Sequence, residues 1–392
     1  MSRRAAVTAA VLACTGLACV GLLAGCGSQP AGVTGAGPPP LTAPLSTSLV
    51  TAQGAWAVAA MGGRDTDDRF WQLFFRPATG GRWSLVTPPG VADNGGLVAA
   101  GGGAYLVAGF RPSQNLAFSP LATSTDTGRN WTPGLLDAGL ADTPGGIAVG
   151  PSGRTLALLQ DGTIETAPPA GSAAAGRWAP LTTLKALAAS APGRSCGLEG
   201  VTAVSFGPNQ NPMAAGSCAR PGAAGVFTDV GGTWRSAGLT LPGPGPNGRV
   251  RVLALTARAG GNAALLAVSR PGGNGLRAAW WDGTRWTVSA PVTADGVRAL
   301  GFGPGGSAWL LLGGERAEII AGAGSTWRAL PPVPAGTKVL APPGTGTLAP
   351  GTGGSYDALA VAGSRLTVWR LAGGAWGKIQ QISVPVQYGS SG

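Results

Sequence analysis

The sequence contains no histidine, and only 11% of its 392 residues are Asp, Glu, Lys or Arg. Without histidine, neither a Ser-His-Asp triad nor a Cys-His nucleophile can form, and the commonest transition-metal ligand is missing. Tyrosine is also scarce, with three residues in the chain. Hydrolases of the histidine-dependent types are therefore excluded, and a tyrosine nucleophile has few candidates.

Beyond residue 30 the sequence lacks long stretches with the 3.6-residue periodicity of an amphipathic helix. Short apolar runs rich in Val, Leu and Ala are instead separated by Gly and Pro, which number 69 and 33. A hydrophobic content of 44% and 13 Trp nevertheless indicate a buried core. We therefore expect a folded, turn-rich, all-β protein.

The N-terminus has the layout of a secretory signal. Arg3 and Arg4 precede an apolar run that ends in "LAGC", with Cys26 as its last residue. This segment resembles the bacterial lipobox, which implies that Cys26 is acylated and anchors the mature chain to membrane lipid. An uncleaved membrane helix is the alternative, because the 21 residues before Cys26 could span a bilayer. Both interpretations place the remainder of the chain on the extracytoplasmic side of the cell membrane.

The composition after Cys26 predicts a tether. Residues 27–48 contain no charge and many Pro and Gly, which favours a semi-extended segment. We therefore expect a signal peptide at residues 1–25, a Pro/Gly-rich tether at residues 26–48 and a folded domain at residues 49–392.

Only two of the five cysteines lie in the expected folded domain. Cys14 and Cys19 fall in the apolar segment, and Cys26 is the expected lipid site. The remaining pair, Cys196 and Cys218, predicts a disulfide in an oxidising compartment. A free thiol pair is the alternative, although no base or metal partner lies near either residue in the sequence.

A Gly-x-Trp or closely similar ending recurs along the chain with an average spacing of about 49 residues. A four-stranded propeller blade requires about 40 to 50 residues. The seven markers therefore predict a seven-bladed β-propeller of four-stranded antiparallel blades. The markers are Trp83, Trp131, Trp178, Trp234, Trp286, Trp327 and Trp376.

One repeat can be divided into strands from its sequence. "VRALGFGP" begins at Val297, "AWLLLGG" at Ala308 and "AEIIAG" at Ala317, and "RALPP" follows Trp327. These four short segments are apolar on both faces, as expected for sheets stacked between neighbours.

The octapeptide "STDTGRNW" at residues 124–131 fits the pattern S-x-D-x-G-x-x-W. It resembles the Asp-box, or BNR repeat, of bacterial neuraminidases (sialidases) and many other propellers. The matching residues are Ser124, Asp126, Gly128 and Trp131. "FTDVGGTW" at residues 227–234 repeats the pattern with Phe227 in place of serine, and its matching residues are Asp229, Gly231 and Trp234.

The resemblance implies a structural turn between the third and fourth strands of a blade, away from the ligand face. Asp126 can accept hydrogen bonds from backbone N–H groups, and Gly128 can adopt positive φ. Trp131 would bury its ring against the sheet. We expect Asp229 to act as Asp126 does.

Two other motifs give weaker indications of a ligand site. "GFGPGG" at residues 301–306 fits G-x-G-x-x-G, but a strand-like segment follows it, so it predicts a turn. Asp65, Asp67 and Asp68 could ligate calcium or lie in a solvated hairpin loop, which the neighbouring arginines favour. We therefore assign no catalytic, cofactor-binding or metal-binding residue.

The mature chain is basic. Once Arg3 and Arg4 leave, 25 basic residues face 16 acidic ones, a net charge of +9. Export argues against a nucleic-acid partner and favours anionic lipid headgroups, an anionic glycan or an envelope protein. Arginines scattered over all blades for solubility are the alternative.

We predict a lipid-anchored, monomeric propeller that acts as a binding or scaffolding module at the bacterial envelope. A sialidase-like glycoside hydrolase is the main alternative, with "FRP" at residues 75–77 and 110–112 as partial echoes of that family's F-R-I-P motif. A third possibility is a propeller that assists assembly of a membrane complex.

Overall fold

The computed structural model describes residues 48–51, 53–62, 69–88, 96–100, 106–110, 119–136, 144–169, 177–241, 248–270, 273–294, 296–342 and 355–384. Cys26, the expected signal peptide and the acidic loop at residues 65–68 lie outside these ranges. No helix in the described ranges is both long enough and apolar enough to cross a membrane.

The described strands form seven antiparallel sheets, each built from consecutive strands in sequence order. This arrangement confirms the predicted seven-bladed β-propeller. Blade 1 contains β1 (Ser48–Val50), β2 (Gly54–Gly62), β3 (Arg69–Pro77) and β4 (Ser84–Leu85). Blade 2 contains β5 (Gly96–Ala100), β6 (Leu106–Phe110), β7 (Ser119–Ser124) and β8 (Thr132–Leu136). Blade 3 contains β9 (Gly146–Val149), β10 (Thr155–Leu158), β11 (Ile164–Ala167) and β12 (Ala179–Thr182).

In blades 4 and 5 the outer strand is divided into two segments that pair with the same third strand. These blades contain β13 (Leu198–Phe206), β14 (Pro212–Cys218), β15 (Ala223–Val230), β16 (Thr233–Ser236), β17 (Leu239–Thr240); and β18 (Arg249–Arg258), β19 (Gly261–Arg270), β20 (Gly273–Trp281), β21 (Trp286–Val288), β22 (Val292–Thr293).

Blades 6 and 7 complete the series. Their strands are β23 (Val297–Phe302), β24 (Ala308–Leu312), β25 (Ala317–Ile320), β26 (Arg328–Ala329); and β27 (Thr337–Ala341), β28 (Asp357–Ala362), β29 (Arg365–Ala372), β30 (Ala375–Ser383). The division of blade 6 into four strands agrees with the sequence prediction.

The antiparallel order gives the propeller two distinct axial ends. We call the end where the first strand of each blade begins the entry end; loops between second and third strands and connections between blades lie there as well. We call the opposite end the turn end, because the turns between third and fourth strands lie there. The Asp-box turn of residues 124–131 therefore lies at the turn end.

Two short helices connect blades 3 and 4. α1 (Leu184–Ala189) begins at Thr183, whose hydroxyl accepts a hydrogen bond from the N–H of Ala186, and α2 (Ala191–Cys196) begins at Ser190 in the same way. The predicted disulfide between Cys196 and Cys218 is confirmed, with 5.5 Å between the two Cα atoms. It fixes the end of α2 to the end of β14 at the entry end.

The core consists of apolar clusters between neighbouring blades rather than one central core. Leu253 and Trp280 of blade 5 pack with Leu300 and Leu310 of blade 6, and all four side chains are buried. Because each sheet is covered on both faces, its strands need no polar face, which explains the continuous apolar runs in the sequence.

Several marker tryptophans donate a hydrogen bond to the blade before their own. The indole N–H of Trp131 donates to the carbonyl of Val86 in blade 1 at 3.0 Å, and Trp286 donates to Ala237 of blade 4 at 3.2 Å. Trp376 of blade 7 does the same with Pro331 at 3.2 Å. In these blades the marker Trp is therefore both a packing group and a donor that aligns neighbouring blades.

Blades 7 and 1 close the ring without sharing a strand, since each of these blades consists of four consecutive described strands. At the entry end the N–H of Gly62 donates to the carbonyl of Gly363 at 2.9 Å. Nearer the axis, the hydroxyl of Ser48 donates to the carbonyl of Leu340 at 3.2 Å. Side chains of both blades form one apolar cluster between these contacts.

Candidate functional site

The Asp-box turn is organised by the carboxylate of Asp126. Its Oδ1 accepts from the backbone N–H groups of Arg129 at 3.1 Å and Asn130 at 2.9 Å, and its Oδ2 accepts from the amide of Asn130 at 2.6 Å. The bonds from Asn130 contribute most to lowering the pKa of Asp126 to about 2. This carboxylate is therefore ionised and engaged within its own turn.

Ser124, Gly128 and Trp131 complete this turn. The hydroxyl of Ser124 accepts from the N–H of Gly128 at 2.9 Å and donates to Asp126. Gly128 has φ of 80°, and a Cβ there would lie 3.3 Å from the ring of Trp131 and 3.4 Å from that of Trp56. Trp131 packs its ring against the sheet of blade 1, but the side chain is half-buried and not fully buried.

The second octapeptide match has a different geometry, which corrects the expectation that Asp229 acts as Asp126 does. Asp229 remains in β15 and pairs with Trp234 of β16, and Oδ1 of Asp229 is buried without a hydrogen-bond partner. Gly231 and Gly232 have φ of 61° and 81° and form a two-residue hairpin turn. The turn closes before Asp229 can reach its N–H groups, and Phe227 cannot replace the acceptor that Ser124 provides.

Asp282 of blade 5 is the true counterpart of Asp126, and sequence analysis missed it. Its Oδ1 accepts from the backbone N–H groups of Thr284 at 2.8 Å and Arg285 at 2.9 Å, and from the Thr284 hydroxyl. The bond from the backbone of Arg285 is the main cause that lowers the pKa of Asp282 to about 2. The Asp-Gly dipeptide before Trp286 was the available signal.

A cluster of charged groups is buried between blades 7 and 1, near the turn end. Asp357 is fully buried, and its side chain accepts four hydrogen bonds, two of them from Arg370. The others come from Nη1 of Arg76 at 2.6 Å and Nε1 of Trp83 at 2.9 Å. We call Arg76, Trp83, Asp357 and Arg370 the closure cluster.

Most polar groups of the closure cluster have partners within the protein, although Nε of Arg76 is buried without a hydrogen-bond partner. Arg76 also donates to the carbonyl of Pro342 at 3.1 Å, and its guanidinium lies 5.5 Å from the centre of the Trp83 ring. Burial lowers the pKa of Arg76, whereas the hydrogen bond to Asp357 raises the pKa of Arg370. Since the Asp357 carboxylate already has four donors, it is saturated, and the cluster acts as a structural link between the first and last blades.

Similar proteins were found among solved structures only. No protein-family model and no curated protein matches the chain. A solved protein from Lactobacillus plantarum aligns with 84% of this chain and 96% of its own, at 13% identity and a TM-score of 0.53. A candidate 6-phosphogluconolactonase from Bacteroides fragilis aligns over 83% and 95%, at 13% identity and a TM-score of 0.51. YCF48 from Cyanidioschyzon merolae aligns over 87% and 96%, at 19% identity and a TM-score of 0.43.

The chain shares the β-propeller fold. At identities this low, the two neighbours with TM-scores above 0.5 show the fold alone. The chemistry of the propeller must therefore be argued from its own side chains.

The turn geometry predicts that Asp126→Ala and Asp282→Ala each lower the melting temperature by a few degrees, because each removes the acceptor for two backbone N–H groups. Asp229→Ala is the matched control and should leave the melting temperature unchanged or raise it, since it removes a buried oxygen without a partner. Calorimetry of the three variants tests this, and equal losses in all three would contradict the assignment.

The same carboxylates predict a pH dependence. The folded-state pKa of Asp126, about 2, lies below the unfolded value of about 3.9. Its stabilisation is therefore fully present above about pH 4 and is lost as pH falls towards 2. The melting-temperature difference between the wild type and Asp126→Ala should shrink over that window.

Proposed function

We propose that this chain is a lipid-anchored β-propeller that acts as a binding or scaffolding module on the extracytoplasmic face of a bacterial membrane. The anchor is the acyl group on Cys26, and residues 27–48 form the tether to the propeller. Its partner is an anionic glycan or an envelope protein, and the propeller itself is a monomer.

One observation carries the choice of binding over catalysis. Within the described part of the chain, three carboxylates that each accept several hydrogen bonds have partners with a structural role. Asp126 and Asp282 close turns at the turn end, and Asp357 is saturated in the closure cluster. A glycosidase needs a pair of carboxyl groups poised at a substrate site, and none of these three serves that purpose.

The anchor can be tested by metabolic labelling with a fatty acid. Cys26→Ala is expected to abolish the label and to release the protein from the membrane fraction or block its processing, because no acceptor thiol remains at the cleavage site. Cys14→Ala is the matched control and should label as the wild type does, since Cys14 lies in the segment that is removed. Unchanged labelling of Cys26→Ala would contradict the anchor.

The hydrolase alternative is distinguished by activity on the same preparations. Fluorogenic sialosides and neutral glycosides should release fluorophore no faster with the protein than in buffer alone. Fluorophore release would indicate a catalytic function if it copurified with the wild type. It should then also disappear in a variant whose melting temperature is unchanged.

A further inference from the structure

The first strands of blades 4 to 7 share an irregularity at the same position. In each of these strands the pairing register shifts by one residue, three to five residues before the strand ends, and β13 has a second shift near its start. Such β-bulges re-aim a side chain and are common at barrel rims and next to binding sites. The extra residues are Thr202, Leu253, Arg298 and Lys338.

Two of the four bulge residues donate a hydrogen bond to the first strand of the next blade. The hydroxyl of Thr202 donates to the carbonyl of Val252, which precedes the next bulge residue, at 2.6 Å. Arg298 makes the equivalent contact two blades later, where Nη2 donates to the carbonyl of Thr337 at 2.8 Å. The guanidinium of Arg298 is thus held at Thr337, the first residue of β27. Lys338 is the next residue of that strand.

These first strands carry cations with little opposing charge. β18, β23 and β27 contain Arg249, Arg251, Arg258, Arg298 and Lys338 and no acidic residue. The one acid on β13, Glu199, pairs with Arg249 at 2.9 Å. No carboxylate among the described residues lies within ion-pair distance of Arg251, Arg298 or Lys338.

Three of these cations form the candidate site. Arg298 and Lys338 are exposed, and Arg251 lies two residues closer to the entry end than the bulge of its own strand. Nε of Arg251 is buried and has no hydrogen-bond partner. Arg251 and Arg298 lie on the first strands of neighbouring blades, and an oxyanion bound at these strands would satisfy the unpaired Nε of Arg251 together with the exposed cations.

The surroundings favour a hydrophilic ligand. The large exposed apolar side chains of the described residues are Leu85, Val230 and Ile379, and all three lie on third or fourth strands. The first strands therefore offer no exposed apolar anchor of the kind on which peptide interfaces depend. Arginine and lysine donors without such anchors suit a polymer that is bound through its charged groups.

We propose that Arg251, Arg298 and Lys338 form an anion site at the entry end of the propeller axis, and that its ligand is a glycan bearing carboxylate or phosphate groups. The site deepens the proposed function and depends on it, because it specifies what the binding module holds. The Asp-box turns at the opposite end take no part in it.

The test is calorimetric titration of the detergent-solubilised full chain with an oligogalacturonate and with a phosphorylated mannan oligosaccharide. The double variant Arg298→Gln with Lys338→Gln should lose at least about tenfold in affinity, because two charge-assisted contacts disappear. The matched control, Arg285→Gln with Lys378→Gln, removes the same charge from an exposed turn and an outer strand and should bind within about twofold of the wild type. Binding should also weaken as salt rises.

Each outcome decides between the alternatives. Equal losses of affinity in the two double variants would show that binding depends on the overall charge of the protein and not on this site. Equal binding of the methyl-esterified oligogalacturonate, of oligoglutamate or of phosphatidylglycerol vesicles would overturn the anionic glycan as ligand. Lys338→Gln alone keeps the test valid if Arg298→Gln destabilises the fold, since Lys338 is exposed and forms no hydrogen bond within the described residues.

Failure of the site and failure of the proposed function are separable in these samples. New reducing ends during titration would show that the propeller cleaves the glycan, which replaces the proposed function and leaves the site in place. Absence of binding with normal fatty-acid labelling would remove the site and leave the anchored module intact.

Discussion

Asp357→Ala is expected to reduce the free energy of unfolding by about 3 to 5 kcal/mol, because it leaves the buried guanidinium of Arg76 without its counter-ion. The side chain of Arg76 is 7% exposed, so water cannot replace the lost carboxylate. Arg370 and Trp83 also lose their acceptor. Urea denaturation of the wild type and the variant measures the difference.

Glu199→Ala provides the control for this effect. It removes one ion pair between neighbouring blades, but the pair is exposed, with 69% exposure for the Arg249 side chain and 39% for Glu199. Exposed pairs contribute about 0 to 1 kcal/mol. If Asp357→Ala cost no more than Glu199→Ala, the closure cluster would not be the polar link between blades 7 and 1.

The fold was predictable because its signals are local and repeated. Each marker tryptophan lies within one residue of the start of an outer strand, so one residue type marked all seven blades. The apolar runs around Val297 and Ala308 gave the strands of blade 6, since each run is bounded by Gly or Pro.

The turns were only partly predictable, because a pattern of residue types does not determine loop length. "STDTGRNW" and "FTDVGGTW" match the same template, yet the first is a seven-residue loop and the second a two-residue turn. Two adjacent glycines let the second hairpin close at once, which leaves Asp229 in its strand. Phenylalanine at the serine position was the residue that should have indicated the difference.

Ring closure could not be read from the sequence. Arg76 and Asp357 are 281 residues apart, and no local pattern links them. The bulges that place Arg298 and Lys338 are equally invisible, because a bulge depends on how a strand pairs with its neighbour and not on its own residues alone. Both features follow from contacts between blades, whereas the sequence signals describe single blades.

Trp83→Ala is expected to be as costly as Asp357→Ala, about 3 to 5 kcal/mol, because it empties a large buried site. Trp83 is 2% exposed, and its neighbours come from both closing blades. Its backbone N–H donates to the side-chain carbonyl of Gln380 at 2.8 Å, and its own carbonyl accepts from the Gln380 amide at 2.7 Å. The indole therefore fills space between the two closing blades, where it supports both the apolar cluster and the polar contacts of Asp357 and Gln380.

Two further substitutions separate the contributions of Trp83. Trp83→Phe keeps a six-membered aromatic ring but removes the donor to Asp357 and part of the buried indole volume, so it should cost about 1 to 3 kcal/mol, less than Trp83→Ala. Trp131→Ala removes the equivalent ring from blade 2, where the side chain is half-buried and donates to a backbone carbonyl, so the loss should be smaller than for Trp83→Ala. Urea denaturation ranks the three variants. If Trp131→Ala proved the more costly, the interface between blades 7 and 1 would be an ordinary one, and the polar cluster there would not be needed to hold the ring closed.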